Sequence, residues 1–149
     1  MRRVLVAGGL SALLALSACD QPKEAAPLPV VAKYSGRQQQ FYAGQEQLHS
    51  VASATVSVSK SGALEMTANA TAPGAGYTNL GFMRRIYAAQ PKDGVYELDV
   101  VGDKPAGAAA QVVTPAEVKG AWDAYPKGRL KGVRLITNTG SVVAMLPPA

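Results

Sequence analysis

The sequence predicts an all-β domain, specifically an antiparallel β-sandwich of about immunoglobulin size. Two neighbouring stretches alternate strictly between apolar and polar residues, which is the pattern of half-buried strands. Turn signals then recur at intervals of roughly 8–12 residues, as they do in all-β domains. The predicted elements also lack the regular strand–helix–strand alternation that indicates a parallel sheet. A small β-barrel is the alternative architecture.

The first two strands are predicted to form a hairpin around the turn Lys60-Ser61-Gly62. Successive side chains of a strand point to opposite faces, so apolar residues at every second position define a buried face. The apolar positions are Ala52, Ala54, Val56 and Val58 before the turn, and Leu64, Met66, Ala68, Ala70 and Ala72 after it. We expect these residues to face the core and the polar residues between them to face solvent.

Five shorter strands are predicted downstream, over 80–89, 95–101, 108–113, 129–137 and 141–146. In the strand over 95–101, three apolar residues share one face: Tyr96, Leu98 and Val100. Glu97 and Asp99 lie on the opposite face. Alternation explains this pair as a solvated face, and we weigh that interpretation above a calcium site or a glycosidase carboxylate pair.

The last two strands are predicted to be joined by a hairpin turn at Asn138-Thr139-Gly140. A continuous strand over 129–137 would mix charged and apolar residues on one face. Those residues are Lys127, Arg129, Lys131, Val133 and Leu135. Because such a face is not stable against a core, we expect the strand to begin near Gly132, or to contain a bulge there.

A short helix is predicted near 115–125. The sequence Thr114-Pro115-Ala116-Glu117 has the residues of a capping box, with proline at the first helical position. Four apolar residues then follow at helical spacing, namely Val118, Ala121, Trp122 and Tyr125. Gly120 inside this segment lowers helix stability by up to about 1 kcal/mol relative to alanine.

Composition excludes several kinds of site. The chain has 149 residues, one cysteine, one histidine and a formal net charge of +5. One cysteine forms no internal disulfide and no cysteine-rich zinc site, and one histidine builds no multi-histidine centre. We therefore expect no metal and no cofactor. We also expect the protein not to be an enzyme, because no catalytic constellation is recognisable.

The N-terminal residues have the pattern of an export signal. Met1-Arg2-Arg3 is a short basic segment, and the apolar stretch over 4–16 is too short to span a bilayer, which needs about 20 residues. The next residues, Leu16-Ser17-Ala18-Cys19, resemble the lipobox of bacterial lipoproteins. This resemblance implies transfer of a diacylglycerol to the Cys19 sulfur and cleavage just before Cys19. The protein is then expected to be anchored to a membrane of the bacterial envelope.

The expected organisation is a signal peptide over 1–18, a lipidated Pro/Ala-rich tether over 19–33 and a β-sandwich over 34–149. Extended chain of the tether's length reaches roughly 40 Å. The segment 34–47 is either a first edge strand or a continuation of the tether. Under the enteric sorting rule, Asp20 resembles the signal that retains a lipoprotein in the inner membrane, so inner and outer membrane both remain open.

One basic cluster is the leading candidate for contact with an anionic surface. Lys127, Arg129 and Lys131 alternate along the chain close to Trp122. Such residues suit phospholipid headgroups or a cell-wall polymer, although lysines on an edge strand also prevent pairing between sheets, which we weigh above a binding role. Removal of residues 1–18 leaves 13 basic and 10 acidic residues, a net charge of +3. This balance and an envelope location argue against a nucleic-acid partner.

Two other candidates have weaker support. His49 is the single histidine, and we interpret it as a surface or hydrogen-bonded residue because no nucleophile motif accompanies it. Arg84 and Arg85 are adjacent in a predicted strand, so their side chains are expected to point to opposite faces and not to share one shallow site.

Two functions follow as hypotheses. The first is a membrane-anchored, non-enzymatic binding or assembly module with an envelope protein or a cell-wall partner. The second is an inhibitor of a cell-wall hydrolase such as lysozyme, or an envelope hydrolase. Beyond the leader, the stretches 76–79, 93–99 and 132–135 resemble small secreted proteobacterial β-sandwich proteins of unassigned activity. That resemblance implies no particular activity.

Overall fold

The computed structural model describes residues 40–148. The predicted signal peptide over 1–18, the tether over 19–33 and residues 34–39 lie outside this range. The described residues form eight strands and no helix. In chain order the strands are β1 Gln45–Gln47, β2 Ser50–Val58, β3 Leu64–Ala72, β4 Thr78–Arg84, β5 Val95–Asp103, β6 Thr114–Trp122, β7 Gly132–Thr137 and β8 Gly140–Met145.

Strand β5 is the centre of a five-stranded sheet. One of its edges pairs with β4, and the other pairs with β7 along 95–99 and with β1 along 101–103. Strand β8 continues the sheet beyond β7. The β5–β7 pair is parallel, whereas the sequence predicted an entirely antiparallel sandwich. The reason is that β6, between them in sequence, belongs to the other sheet, so the chain returns to the first sheet in its original direction.

The second sheet has three antiparallel strands in the order β2-β3-β6. The predicted β2–β3 hairpin is confirmed, including the loop at 59–63. Val58, at the end of β2, is 49% exposed, although it was predicted to face the core. A register shift between Val51 and Ser53 also leaves Ala52 exposed, and Val51 packs against the core instead. A bulge of this kind reverses the side-chain alternation on its N-terminal side.

The two sheets pack face to face and do not close into a barrel, so the predicted sandwich is confirmed. Strand β3 contributes small residues to the core, and the five-stranded sheet contributes larger ones. The inward residues with the least exposure are Leu64, Ala68, Leu98, Val100, Val118, Val133 and Leu135. Complementary sizes across the interface fill the space between sheets that pack about 10 Å apart.

The predicted helix near 115–125 is wrong, because residues 114–122 form β6. This strand pairs with the free edge of β3 in nine consecutive register positions, from Leu64 opposite Trp122 to Ala72 opposite Thr114. A period of two was also present in the segment: Ala116, Val118, Gly120 and Trp122 alternate with the more exposed Pro115, Glu117, Lys119 and Ala121. Pro115 is tolerated because β6 lies at the edge of its sheet.

The other predicted strands are confirmed in part. The strand predicted over 80–89 is β4, which ends at Arg84, and residues 108–113 form a loop instead of a strand. The first edge strand suggested within 34–47 is confirmed as β1, and β7 begins at Gly132 as predicted. Gly132 lies against β8, where an added Cβ would come within 2.7 Å of the Ala144 carbonyl oxygen and the Met145 sulfur.

The two ends of the sandwich differ in charge. The chain joins the sandwich at what we call the proximal end, where the Lys104 N–H donates to the Gly44 carbonyl at 2.8 Å. The distal end comprises 59–63, 84–94, 123–131 and 146–148. It contains seven basic and two acidic residues, whereas Lys104 is the one charged residue of the proximal loops over 42–44, 73–77, 104–113 and 138–139.

Tyr77 lies at the proximal end and fixes β1 to the loop before β4. Its hydroxyl donates to the Glu46 carboxylate, which also pairs with Lys104 at 3.2 Å. Burial, the hydrogen bond to Glu46 and the negative charge of Glu46, in that order, raise the pKa of Tyr77 to about 12. The folded protein therefore favours the neutral phenol more strongly than the unfolded chain does.

This shift predicts an alkaline loss of stability. The contribution of Tyr77 is complete below its unfolded pKa of 10.0 and is lost as the pH rises from there through about 12. We expect urea unfolding across this range to show a smaller decline for Tyr77→Phe than for the wild type, since the variant lacks the titrating hydroxyl. Equal declines in the two proteins would refute the assignment.

Candidate functional site

A run of four aromatic side chains crosses the distal end of the sandwich. Tyr87, Tyr96, Trp122 and Tyr125 contact one another edge to face, with ring centroids 5.5, 5.9 and 6.5 Å apart along the run. Tyr96 comes from the inner face of β5, and Trp122 is the last residue of β6. Such pairs contribute about 0.5–1.5 kcal/mol each beyond burial, so the run stabilises the end of the core.

Two adjoining clefts open beside this run, and together we call them the distal cleft. The smaller has a volume of about 350 Å³ and the larger about 530 Å³. Both are lined by Arg84, Trp122 and Ala124, which therefore lie where the two clefts meet. The smaller cleft is further lined by Met66, Phe82, Leu98, Gly120, Ala121 and Asp123, and the larger by Arg85, Ile86, Tyr87, Gln90, Tyr96, Glu97 and Pro126.

Arg84 covers Trp122 from the solvent side. The guanidinium carbon lies 5.3 Å from the centroid of the indole ring, in a cation–π contact. Arg84 is exposed, at the end of β4, and makes no ion pair among the residues that the structure describes. Its positive charge therefore remains available to an anion that approaches the cleft.

The indole nitrogen of Trp122 has an unusual environment. Nε1 is buried from solvent and has no hydrogen-bond acceptor within the described part of the chain. A buried donor left without an acceptor costs roughly 1–3 kcal/mol. Trp122, whose side chain lines both clefts, therefore carries a buried donor that an added acceptor would satisfy.

A buried ionic cluster forms one wall of the larger cleft. Asp99 is 0% exposed and accepts two hydrogen bonds from Arg85, at 3.0 and 2.8 Å. Gln47 of β1 donates to the same carboxylate at 2.6 Å and to the Ile136 carbonyl at 3.3 Å. The bidentate geometry and the amide satisfy a carboxylate that has no access to water.

Glu97 completes this cluster. It is 2% exposed, accepts from Arg134 at 3.3 Å and lies 4.0 Å from Arg85. The prediction that Glu97 and Asp99 form a solvated face is therefore wrong, although they do share one face of β5. Arg85, the residue that follows β4, and Arg134 of β7 lie on either side of them. Arg134 is the one charged residue of β7, and it was the sequence signal for a buried carboxylate partner.

The structure places the predicted basic residues in one exposed loop. Lys127, Arg129 and Lys131 all lie in 123–131, where the chain turns and is not extended, so they do not form a stripe on one strand face. Lys127 is 5.7 Å from the Tyr125 ring, and the Lys131 N–H donates to the Gly94 carbonyl at 2.8 Å. Contact with an anionic surface remains a prediction.

The arginine pair differs from expectation. Arg84 and Arg85 both line the larger cleft, so the expectation that they share no site is wrong. Their partners do differ, since Arg85 belongs to the ionic cluster and Arg84 contacts Trp122.

His49 is half-buried between β1 and β2, and its backbone N–H donates to the Thr71 carbonyl at 2.9 Å.

Two features are absent from residues 40–148. These residues contain no group of three or more histidine, cysteine, aspartate or glutamate residues placed to hold a metal ion. Within the same range, no helix has the length and apolar character needed to cross a membrane.

Comparison with known proteins leaves the activity open. No protein-family model, no curated protein and no solved structure matches the sequence. The function is therefore inferred from the residues of the distal cleft and from the N-terminal motif.

Proposed function

We propose that the protein is a lipid-anchored binding module of the bacterial envelope, which holds a non-membrane envelope component in its distal cleft without catalysing a reaction. The lipobox resemblance at Cys19 supports the anchor. The observation that supports the binding site is the junction of the two clefts, where exposed Arg84 lies above Trp122. A concave site with apolar walls and a few convergent polar groups is the usual form of a ligand site.

The charge of the distal end supports an acidic partner. Residues 40–44 join the sandwich at the proximal end, and the distal cleft lies at the other end of the strands. The excess of basic residues at the distal end favours an acidic partner, such as a cell-wall polymer.

One fractionation experiment tests both contacts of the proposal. We expect the full-length protein to sediment with membranes, and Cys19→Ser to release it, because no acyl chain can then be attached. We also expect the detergent-solubilised protein to cosediment with isolated peptidoglycan sacculi, and Trp122→Ala to weaken this at least about tenfold. Lys119→Ala is the matched control, since Lys119 is exposed on β6 and does not line the cleft.

Each part of this experiment has an outcome that would contradict the proposal. A Cys19→Ser protein that stays fully membrane-bound would disprove the anchor. Sacculus binding that is absent, or unchanged in a folded Trp122→Ala protein, would disprove the binding site. Inhibition of lysozyme by the wild type that is lost in Trp122→Ala would instead assign the cleft to a cell-wall hydrolase.

A further inference from the structure

The Arg84 side chain stands between the two halves of the distal cleft. Arg84, Trp122 and Ala124 line both clefts, and the exposed Arg84 side chain lies over the indole ring, so its movement would uncover Trp122. Cation–π contacts at exposed sites are weak and do not hold an arginine against a better partner. A carboxylate accepts two parallel hydrogen bonds from a guanidinium, which makes it such a partner. Arg84 is therefore placed as a movable clamp for an acidic group.

The walls that Arg84 would uncover suit a ring with an apolar face. Phe82 and Trp122 line the smaller cleft, and Tyr87 and Tyr96 line the larger. The C–H groups on one face of a pyranose contact the electron-rich face of an aromatic ring favourably, for the same reason that aromatic edges do. The larger volume, about 530 Å³, falls in the range of small-ligand sites.

Trp122 indicates a second property that the ligand must have. Its Nε1–H is buried and has no acceptor among the described residues. A ligand that displaces Arg84 and offers a hydroxyl or amide oxygen would provide that acceptor. Saccharides carry such oxygens around the rim of an apolar ring face, whereas acyl chains do not.

The charges around the cleft favour an acidic ligand, with one opposing group. Glu97 is engaged by Arg85 and Arg134 and does not repel an anion as a lone carboxylate would. Asp123 is exposed and lines the smaller cleft, so it opposes an anion there. The larger cleft has no such residue and lies beside the 123–131 loop with Lys127. The acidic group is therefore expected at the larger cleft.

We infer that the distal cleft binds a carboxylate-bearing saccharide, with Arg84 leaving Trp122 to pair with the carboxylate and the indole N–H donating to a ring substituent. This inference rests on the proposed function and names the chemical class of its ligand. The carboxylate pairs with the Arg84 guanidinium in the larger cleft, and the sugar ring lies against the aromatic walls.

Intrinsic fluorescence tests the inference directly, because Trp122 is the single tryptophan of the chain. The full-length protein in detergent is titrated with three probes: a muropeptide that carries N-acetylmuramic acid, a neutral N-acetylglucosamine oligosaccharide, and phosphatidylglycerol vesicles. We expect a saturable spectral shift with the muropeptide and a much weaker response to the neutral sugar. Arg84→Ala should weaken muropeptide binding about tenfold or more, the value of one charge-assisted contact.

Two further variants separate the role of Arg84 from a general charge effect. Lys119→Ala removes the same charge from the solvent face of β6, and we expect unchanged muropeptide binding. Arg84→Lys keeps the charge but loses the planar guanidinium, and we expect intermediate affinity. In the absence of probe, Arg84→Ala should increase collisional quenching of Trp122, because the guanidinium no longer covers the ring.

The contrary outcomes distinguish the inference from the proposed function. Equal affinity for neutral and acidic sugars, or a shift with vesicles alone, would overturn the ligand class. Sacculus binding that depends on Trp122 without any response to the muropeptide would also overturn it, while the binding module stands. Absence of sacculus binding altogether would remove the proposed function itself.

Discussion

Replacement of Asp99 by alanine is expected to lower the free energy of unfolding by about 3–5 kcal/mol. Asp99 is fully buried and accepts from Arg85 at 3.0 and 2.8 Å and from Gln47 at 2.6 Å. The arginine side chain is itself only 9% exposed, so the variant leaves a positive charge in the sheet without its bidentate partner. Urea unfolding followed by circular dichroism measures the loss.

A matched control and a double variant sharpen this prediction. Asp123→Ala removes an exposed carboxylate and is expected to change stability by less than about 0.5 kcal/mol. Asp99→Leu combined with Arg85→Leu should recover much of the loss, because removing both charges also removes their desolvation cost. A loss in Asp99→Ala as small as that in Asp123→Ala would show that the cluster does not stabilise the fold.

Gly120→Ala is expected to destabilise the protein by about 1–3 kcal/mol, the typical cost of overpacking a filled site. In strand β6, a Cβ at this position would lie 2.8 Å from the Phe82 Cδ2 atom, so the ring or the strand has to shift. In the helix that the sequence predicts, the same change would instead add up to about 1 kcal/mol of stability. The sign of the change in stability, measured by thermal unfolding of the variant, therefore distinguishes a strand from a helix at this position.

The control for this variant lies on β4, in the opposite sheet. Gly81 of β4 has no atom within 4 Å of the position that a Cβ would take. We expect Gly81→Ala to leave stability unchanged or to raise it slightly, because alanine loses less conformational entropy on folding than glycine. Stabilisation by Gly120→Ala of the same size as by Gly81→Ala would contradict the close packing of β6 against Phe82.

The sequence predicted elements well where its signal was local. The β2–β3 hairpin has period-two patterning on both sides of a glycine turn, so both its strands and its loop are confirmed. The start of β7 was predicted from the conflict between Lys131 and Val133 on one face. In each case, the information lay within a few residues of the feature that it determines.

The helix prediction failed because two local signals competed. Thr114 to Glu117 has the residues of a capping box, whereas 116–122 also alternates with period two. The outcome depended on β3, whose second edge offers nine register positions to β6. Pairing with a distant strand satisfies backbone groups and buries Val118 at once, and tertiary contacts of this kind override short-range propensity.

By itself, the sequence determined the all-β class and the β2–β3 hairpin, because side-chain periodicity and turn residues act between near neighbours. The tertiary structure alone decided the parallel β5–β7 pair, the burial of Glu97 and Asp99, and the distal cleft. Arg85 lies 14 residues from Asp99 in sequence, and Gln47 lies 52 residues from it. From the sequence pattern alone, charged residues at such separations are each predicted to face solvent. Only strand pairing brings them close enough to form ion pairs away from water.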